Sequence, residues 1–258
     1  MEACIRIIKS NSVATITIHN PGQLNALTLD MRDSLLEHLK ECEKSLDIKV
    51  IILQGEGGHF CSGSSVGGMG KRTVLETFEH MTKMNELIVT IHNMDKIVIA
   101  VVEGYAVGAG FSLALASDLI YTSPEAKFGL AFNKIGLVPD CGLSYFLPRL
   151  VGPYKAKEWI LSGAIISAEE AQAKGIVNDC LLKEDLFHIV KEKAEMIASG
   201  PLYANKMTKS ILNKSDQMTL EEVLAEERYA QTILQQTEDH QAGITAFRTK
   251  KKPVFTGQ

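Results

Sequence analysis

The chain has 258 residues, 45% of them hydrophobic and 22% charged, with a formal net charge of −4. A globular protein of ordinary composition fits those values, and the acidic balance argues against nucleic acid as the main partner. The length allows one large α/β domain or two small ones.

Met1-Glu2-Ala3 begins with an acid and no long apolar run follows, so a targeting segment is not expected. The C-terminal Phe255-Thr256-Gly257-Gln258 matches neither a prenylation nor a peroxisomal signal, and a cytoplasmic protein is the expectation. Five scattered cysteines with no C-x-x-C fit a reducing compartment. The seven histidines form no H-x-H or H-E-x-x-H group, so no metal is expected.

In chain order, Cys4 to Ile8 and Val13 to His19 read as a strand pair around the polar turn Lys9 to Ser12. Thr28 is placed to cap a helix from Leu29 to Glu43, with Leu35, Leu36 and Leu39 at helical spacing. Lys49 to Gln54 is a short β-branched run, a buried strand by composition, and Gly55 to Gly70 reads as a loop. Thr73 to His92 has helical spacing, which places Leu75, Phe78, Met81 and Leu87 or Ile88 on its buried side. Two such strand–loop–strand–helix passes predict successive turns of a similar unit, and pattern alone gives the class α/β. Beyond Gly152 the chain reads as largely helical. Capping-box patterns stand at Ser167 to Glu170 and Thr219 to Glu222, and the last helix is predicted at about Leu220 to Thr237. The expected division is a core over 1–200 and a helical region over 201–258.

One stretch concentrates the chemistry. The apolar run Ile97 to Val102 leads into Gly104, Gly108 and Gly110, then into Phe111 to Ala116 of helix-forming composition. A membrane span needs ~20 uninterrupted apolar residues. Glu103 and the glycines break this run, so strand–turn–helix is the reading and no membrane association is expected. A strand passing through glycines into a helix leaves backbone N–H groups unpaired at the helix start, where they can hold a phosphate, a carboxylate or a developing oxyanion. Asp140 follows Pro139 in a second glycine-containing turn. Each part also has a structural reading: glycines that permit close backbone approach, and Asp140 as the N-cap of a short helix.

Other motifs carry less weight. Gly63-Ser64-Ser65-Val66-Gly67 matches the G-x-S-x-G elbow of α/β-hydrolases. An elbow needs a strand directly before it and a helix directly after, and here Gly55 to Gly58 and then Gly67, Gly68 and Gly70 intervene. Gly108-Ala109-Gly110 begins like G-x-G-x-x-G but ends in Leu113, which speaks against a nicotinamide cofactor. The basic runs Lys71-Arg72 and Lys250 to Lys252 could meet a phosphorylated small molecule.

Several ordered segments together resemble the crotonase superfamily, the enoyl-CoA hydratases and isomerases. They are Asn20-Pro21 with Leu24 to Leu27, Phe60-Cys61-Ser62-Gly63, Gly104 to Gly110, Ser167 to Val177, and the tail Phe247 to Gly257. Phe128 to Gly152 is most similar to the phenylacetate-pathway 1,2-epoxyphenylacetyl-CoA isomerases. The resemblance implies a ββα spiral core with a C-terminal helical region that packs trimers, a homotrimer or dimer of trimers, and an acyl-CoA thioester as substrate. Coenzyme A enters only as part of that substrate, with no separate cofactor.

By position, the resemblance makes the N–H groups of Ser64 and Ala109 the oxyanion donors and Asp140 the catalytic carboxylate. Ala26, Ser62, Ser64, Ser65, Val66 and Gly67, with Gly108, Ala109 and Gly110, are the expected substrate contacts. The two glutamates that hydratases use fall at Ser112 and Phe132, neither of which exchanges a proton usefully at neutral pH. The family's dehalogenase branch uses an Asp at the Asp140 position as nucleophile but needs a His where this chain has Val89. The expectation is therefore an isomerase working through an enolate and one Asp. An enoyl-CoA hydratase and a non-catalytic CoA-ester-binding protein remain the alternatives.

Overall fold

The computed structural model describes residues 2–65, 67 and 70–258. Strands β1 (Cys4–Ser10) and β2 (Val13–His19) form an antiparallel hairpin through Asn11 and Ser12, both at positive φ. Helix α1 (Leu29–Lys44) follows, its N-cap Thr28 side chain accepting from the Met31 N–H. Then come β3 (Val50–Gly55), α2 (Val74–Asn93), β4 (Ile97–Val102), β5 (Tyr105–Val107) and α3 (Ala109–Ala116). Strands β6 (Leu119–Thr122) and β7 (Lys127–Gly129) lead to a 3-10 turn at Ala131–Ile135, then to α4 (Leu143–Val151) and α5 (Pro153–Ser162). After β8 (Ile165–Ser167), α6 (Ala168–Ala173) and β9 (Asp179–Cys180), the chain is helical: α7 (Lys183–Ala198), α8 (Leu202–Ser215), α9 (Leu220–Leu234) and α10 (Glu238–Thr249).

The larger sheet has the order β1-β2-β3-β4-β6-β9, parallel from β2 onward. Its inner strands are apolar throughout because both faces are covered. Alternate side chains go to opposite sides. Ile51, Leu53, Val98, Ala100 and Val102 join Leu35, Leu39 and Phe111 in the main core. Val50, Ile52, Ile99 and Val101 meet Leu186, Val190 and Ala194 of α7 on the other face.

A second, narrower layer runs beside the first. It consists of single parallel bridges Leu27–Ser64 and Cys61–Ala106, then the sheet β5-β7-β8. Each pass of the chain therefore adds one segment to the large sheet, one to the narrow layer and one helix or helical turn. That is the ββα spiral implied by the resemblance; its narrow layer holds Ser64 and leads through β5 straight into Ala109 at the start of α3.

Two expectations are corrected. In α2 the buried residues are Met84, Leu87, Ile88 and Ile91, while Leu75 and Phe78 are 67% and 71% exposed. The first half of α2 runs past the core edge and borders a cavity, so helical spacing there marks no packed face. The last helix ends early, because Thr237 starts a new one by accepting from the His240 N–H. The C-terminal segment is thus α9 followed by α10.

Candidate active site

The first functional loop is held by side chains from the Asn20 to Leu27 segment. Asn25, at φ 61, donates through Nδ2 to the carbonyls of Glu56 and His59 at 2.8 and 2.6 Å. Its Oδ1 accepts from the Asn20 N–H at 2.8 Å. The Leu27 N–H donates to the Gly63 carbonyl, and the Ser65 N–H donates to the Leu27 carbonyl, each at 2.8 Å. In a parallel bridge of this kind Leu27 uses the groups flanking Ser64, so the Ser64 N–H points away from Leu27, out of the ladder.

The second donor lies across from it. Gly108, at φ 54 and ψ −122, ends β5 and starts α3, and its N–H donates to the Gly129 carbonyl. A side chain is strained at that φ. Ala109 is then the first residue of α3, whose N–H has no intrahelical acceptor. A Cβ placed on Gly63 would lie 3.6 Å from the Ala109 nitrogen, so the Ser64 and Ala109 peptides are close neighbours. The approach depends on Gly110, where a Cβ would stand 2.0 Å from the Cys61 carbonyl oxygen.

Asp140 completes the set. The backbone turns through Cys141 and Gly142, both left-handed at φ 52 and 80, before α4 begins. Gly142, not Asp140, occupies the N-cap, so the capping reading falls. A non-glycine residue held left-handed stores strain, as residues beside reacting groups often do. Asp140 Oδ1 is buried with no hydrogen-bond partner among the described residues. Burial pushes its carboxyl above the usual carboxylate range, partly offset by the adjacent Cys141 thiol. Burial in turn drives the Cys141 thiol far up, with the Asp140 charge adding to it.

Two adjoining cavities share Ser64, Ile135, Leu137 and Asp140. The smaller, about 230 Å³, is bordered by Ser62, Gly63, Gly108, Ala109, Phe132 and Lys134. The larger, about 670 Å³, extends to Arg72, Thr77, His80, Met81 and Val138. Among the described residues Asp140 is the one carboxylate lining either cavity. Phe132, which borders the smaller cavity, is buried, whereas Val138 is 79% exposed and walls the larger one.

The structure thus brings Ser62, Ser64, Gly108, Ala109 and Asp140 together, with Gly110 packed behind them. Ala26 is buried and its carbonyl accepts from Asn20 Nδ2. Ser65 and Gly67 border neither cavity, and Val66 lies outside the described residues. Ser65 Oγ donates to Gln23 Oε1 at 2.8 Å with no histidine beside it, which removes the hydrolase-elbow reading. Ser112, at the first expected glutamate position, is fully buried and donates to the Asp140 carbonyl at 3.2 Å. Phe132, at the second, is 7% exposed.

Sequence reasoning missed His80 and Arg32. Arg32, buried on α1, donates from Nη1 to His80 Nδ1 at 2.8 Å. A guanidinium only donates, so His80 Nδ1 accepts, and the neutral ring carries its proton on Nε2. Burial and the charges of Arg72 and Arg32 hold His80 below its ordinary value. No sequence signal pairs two residues on separate helices 48 positions apart.

A family model described as enoyl-CoA hydratase/isomerase matches residues 8–258. The chain is 32% identical to the 1,2-epoxyphenylacetyl-CoA isomerase of Escherichia coli (strain K12), covering 95% of each chain. It is 35% identical to a probable enoyl-CoA hydratase of Rhodobacter capsulatus, covering 98% of each. Among solved structures, an enoyl-CoA hydratase from Bacillus anthracis superposes with a TM-score of 0.95 at 28% identity, over 98% of this chain and 99% of that one.

Proposed function

The chain belongs to the enoyl-CoA hydratase/isomerase family, and from that premise we propose that it is an acyl-CoA isomerase working through an enolate and a single carboxylate. The observation that carries this reading is the carboxylate inventory: among the described residues Asp140 is the one carboxylate lining the two cavities, beside the paired N–H groups of Ser64 and Ala109. The thioester oxygen sits between those N–H groups, which stabilise the negative charge that develops there when a carbon proton leaves. Fixed donors in a site sheltered from water are usually the largest single catalytic contribution.

Asp140 takes a proton from carbon and returns it two carbons away, which moves a double bond; a ring-epoxide acyl-CoA is a second substrate of the same enolate chemistry. Its raised carboxyl makes it a stronger base than an exposed Asp. Hydration needs a second group to activate water; Arg72 and Lys134 are cations at neutral pH, and the accepting nitrogen of His80 is already taken by Arg32. Coenzyme A enters with the substrate on the Ser62 and Lys134 side, and the acyl chain extends past Asp140 into the larger cavity. No separate cofactor takes part.

The test is turnover of 3-enoyl-CoA and 2-enoyl-CoA by the purified protein with chromatographic separation of products. Conversion of the 3-enoyl to the 2-enoyl isomer with little 3-hydroxyacyl-CoA is expected. Rapid formation of 3-hydroxyacyl-CoA would replace this reading with hydration. The exposed Leu212, Leu224, Tyr229, Ile233 and Phe247 of α8 to α10 support self-association, read as a trimer, which light scattering on the eluted protein checks. No helix among the described residues is long and apolar enough to cross a membrane.

A further inference from the structure

The larger cavity is not the plain apolar slot that an alkyl chain wants. Ile135, Leu137, Val138 and Met81 give it apolar walls, but Arg72 and His80 also border it. His80 turns its accepting nitrogen to Arg32, leaving Nε2–H as a donor with no acceptor among the described residues. The carboxylates nearby are already engaged. Asp33 binds Arg32 at 2.6 Å and Lys83 at 3.1 Å. Glu76 accepts from the Thr73 N–H at 2.7 Å and the Thr73 hydroxyl at 2.8 Å, closing the cap of α2. Arg72 has no ion-pair partner among the described residues. Arg32, Arg72 and Lys83 against Asp33 and Glu76 still leave this end of the cavity with an excess of positive charge.

An alkyl chain laid against Arg72 and His80 would strip water from two donors and offer nothing back, which costs free energy. A carboxylate there would accept from both, and hydrogen bonds between charged partners are the strong ones. We propose that Arg72 and His80 form a carboxylate-recognition site at the far end of the acyl cavity, so that the preferred substrates are monothioesters of unsaturated dicarboxylic acids. The proposal deepens the isomerase reading and rests on it for the orientation of the acyl chain. Arg32 acts through His80, by fixing which ring nitrogen donates. The run Lys71-Arg72 is thereby reassigned: Arg72 faces the acyl group and not a phosphate.

The test separates recognition from turnover. Binding of adipoyl-CoA and hexanoyl-CoA, neither of which can react by double-bond migration, is measured by calorimetry on the full chain. Adipoyl-CoA is expected to bind at least about tenfold more tightly, the lower end of what a charged hydrogen bond contributes. Arg72→Gln and His80→Phe should each bring that ratio towards one, while Arg72→Lys keeps most of it. A wild-type ratio near one, or a ratio that both variants leave intact, overturns the proposal. A preference for 6-hydroxyhexanoyl-CoA equal to that for adipoyl-CoA overturns it too, since the site would then read an oxygen and not a charge. Failure of the isomerase reading appears separately, as absent turnover of 3-hexenoyl-CoA and 3-hexenedioyl-CoA with the binding preference preserved.

Discussion

Replacing Asp140 with asparagine should abolish turnover and leave the protein at least as stable as before. The side chain keeps its shape, so the turn through Cys141 and Gly142 and the Ser112 hydrogen bond to the Asp140 carbonyl are undisturbed. An amide cannot shuttle a proton, and a positioned acid–base group is worth about 10²–10⁴ in rate. With no second carboxylate among the described residues of the cavities to take over, kcat should fall by about that factor, or about 3–5 kcal/mol. The stability change has the opposite sign. Burial raises the folded-state carboxyl above its unfolded value. The folded protein therefore holds the proton more tightly. Stability declines as pH rises from the unfolded value to the folded one, and the full penalty is present above the folded value. Each unit of that displacement is worth about 1.4 kcal/mol, and each kcal/mol about 2–4 °C in a chain of this size. Thermal unfolding at pH 7 should thus show an unchanged or higher midpoint for Asp140→Asn, while the wild type closes the gap as the pH is lowered. In the same assay, the acid limb of the wild-type kcat/KM profile should lie above the ordinary carboxylate range and vanish in the variant. Activity within about threefold of wild type would refute the single-carboxylate mechanism, and a midpoint several degrees lower would refute the claim that Asp140 is held at a cost.

Gly110→Ala places a methyl group 2.0 Å from the Cys61 carbonyl oxygen, a backbone atom that no rotamer change can move; a loss of about 3 kcal/mol or more in urea unfolding is expected, with activity falling as the two donor peptides part. Asn25→Ala removes the hydrogen bonds that Asn25 makes to Asn20, Glu56 and His59, so a cost of about 2–4 kcal/mol and a lower kcat at unchanged Asp140 chemistry should follow. Lys209 on α8 donates to Asp118 Oδ2 at 2.8 Å and to the Lys96 carbonyl at 2.9 Å, deep under the helix. Lys209→Met strands the largely enclosed Asp118 charge and should cost about 3–5 kcal/mol by denaturant titration, much of it recovered in the double variant with Asp118→Asn.

Much of the fold was legible in the sequence because it is written in short-range patterns. The β-branched run at Val50 to Leu53, the Leu35, Leu36 and Leu39 spacing, and the Thr28 and Thr219 caps each depend on neighbours a few residues away; these elements begin where expected, although α9 stops short of Thr237. The glycines of β5 and α3 are local in the same sense: a positive φ at Gly108 and a missing Cβ at Gly110 are properties of single residues. Resemblance then supplied the chemistry that spacing alone left open at Ser64, Ala109 and Asp140.

What only the tertiary structure decided involves residues far apart in the chain. Periodicity put Leu75 and Phe78 inside, but a helix face is buried only if something packs on it, and the first half of α2 borders a cavity. Asn25 looked like part of a signature, and its work, holding the carbonyls of Glu56 and His59, appears only when the loop is folded back on it. The donor state of His80 is set by Arg32 from another helix, and the isolation of Asp140 by what lines the two cavities. Local pattern fixes backbone conformation, whereas the charge and hydrogen-bonding state of a site depend on which distant groups share its small volume.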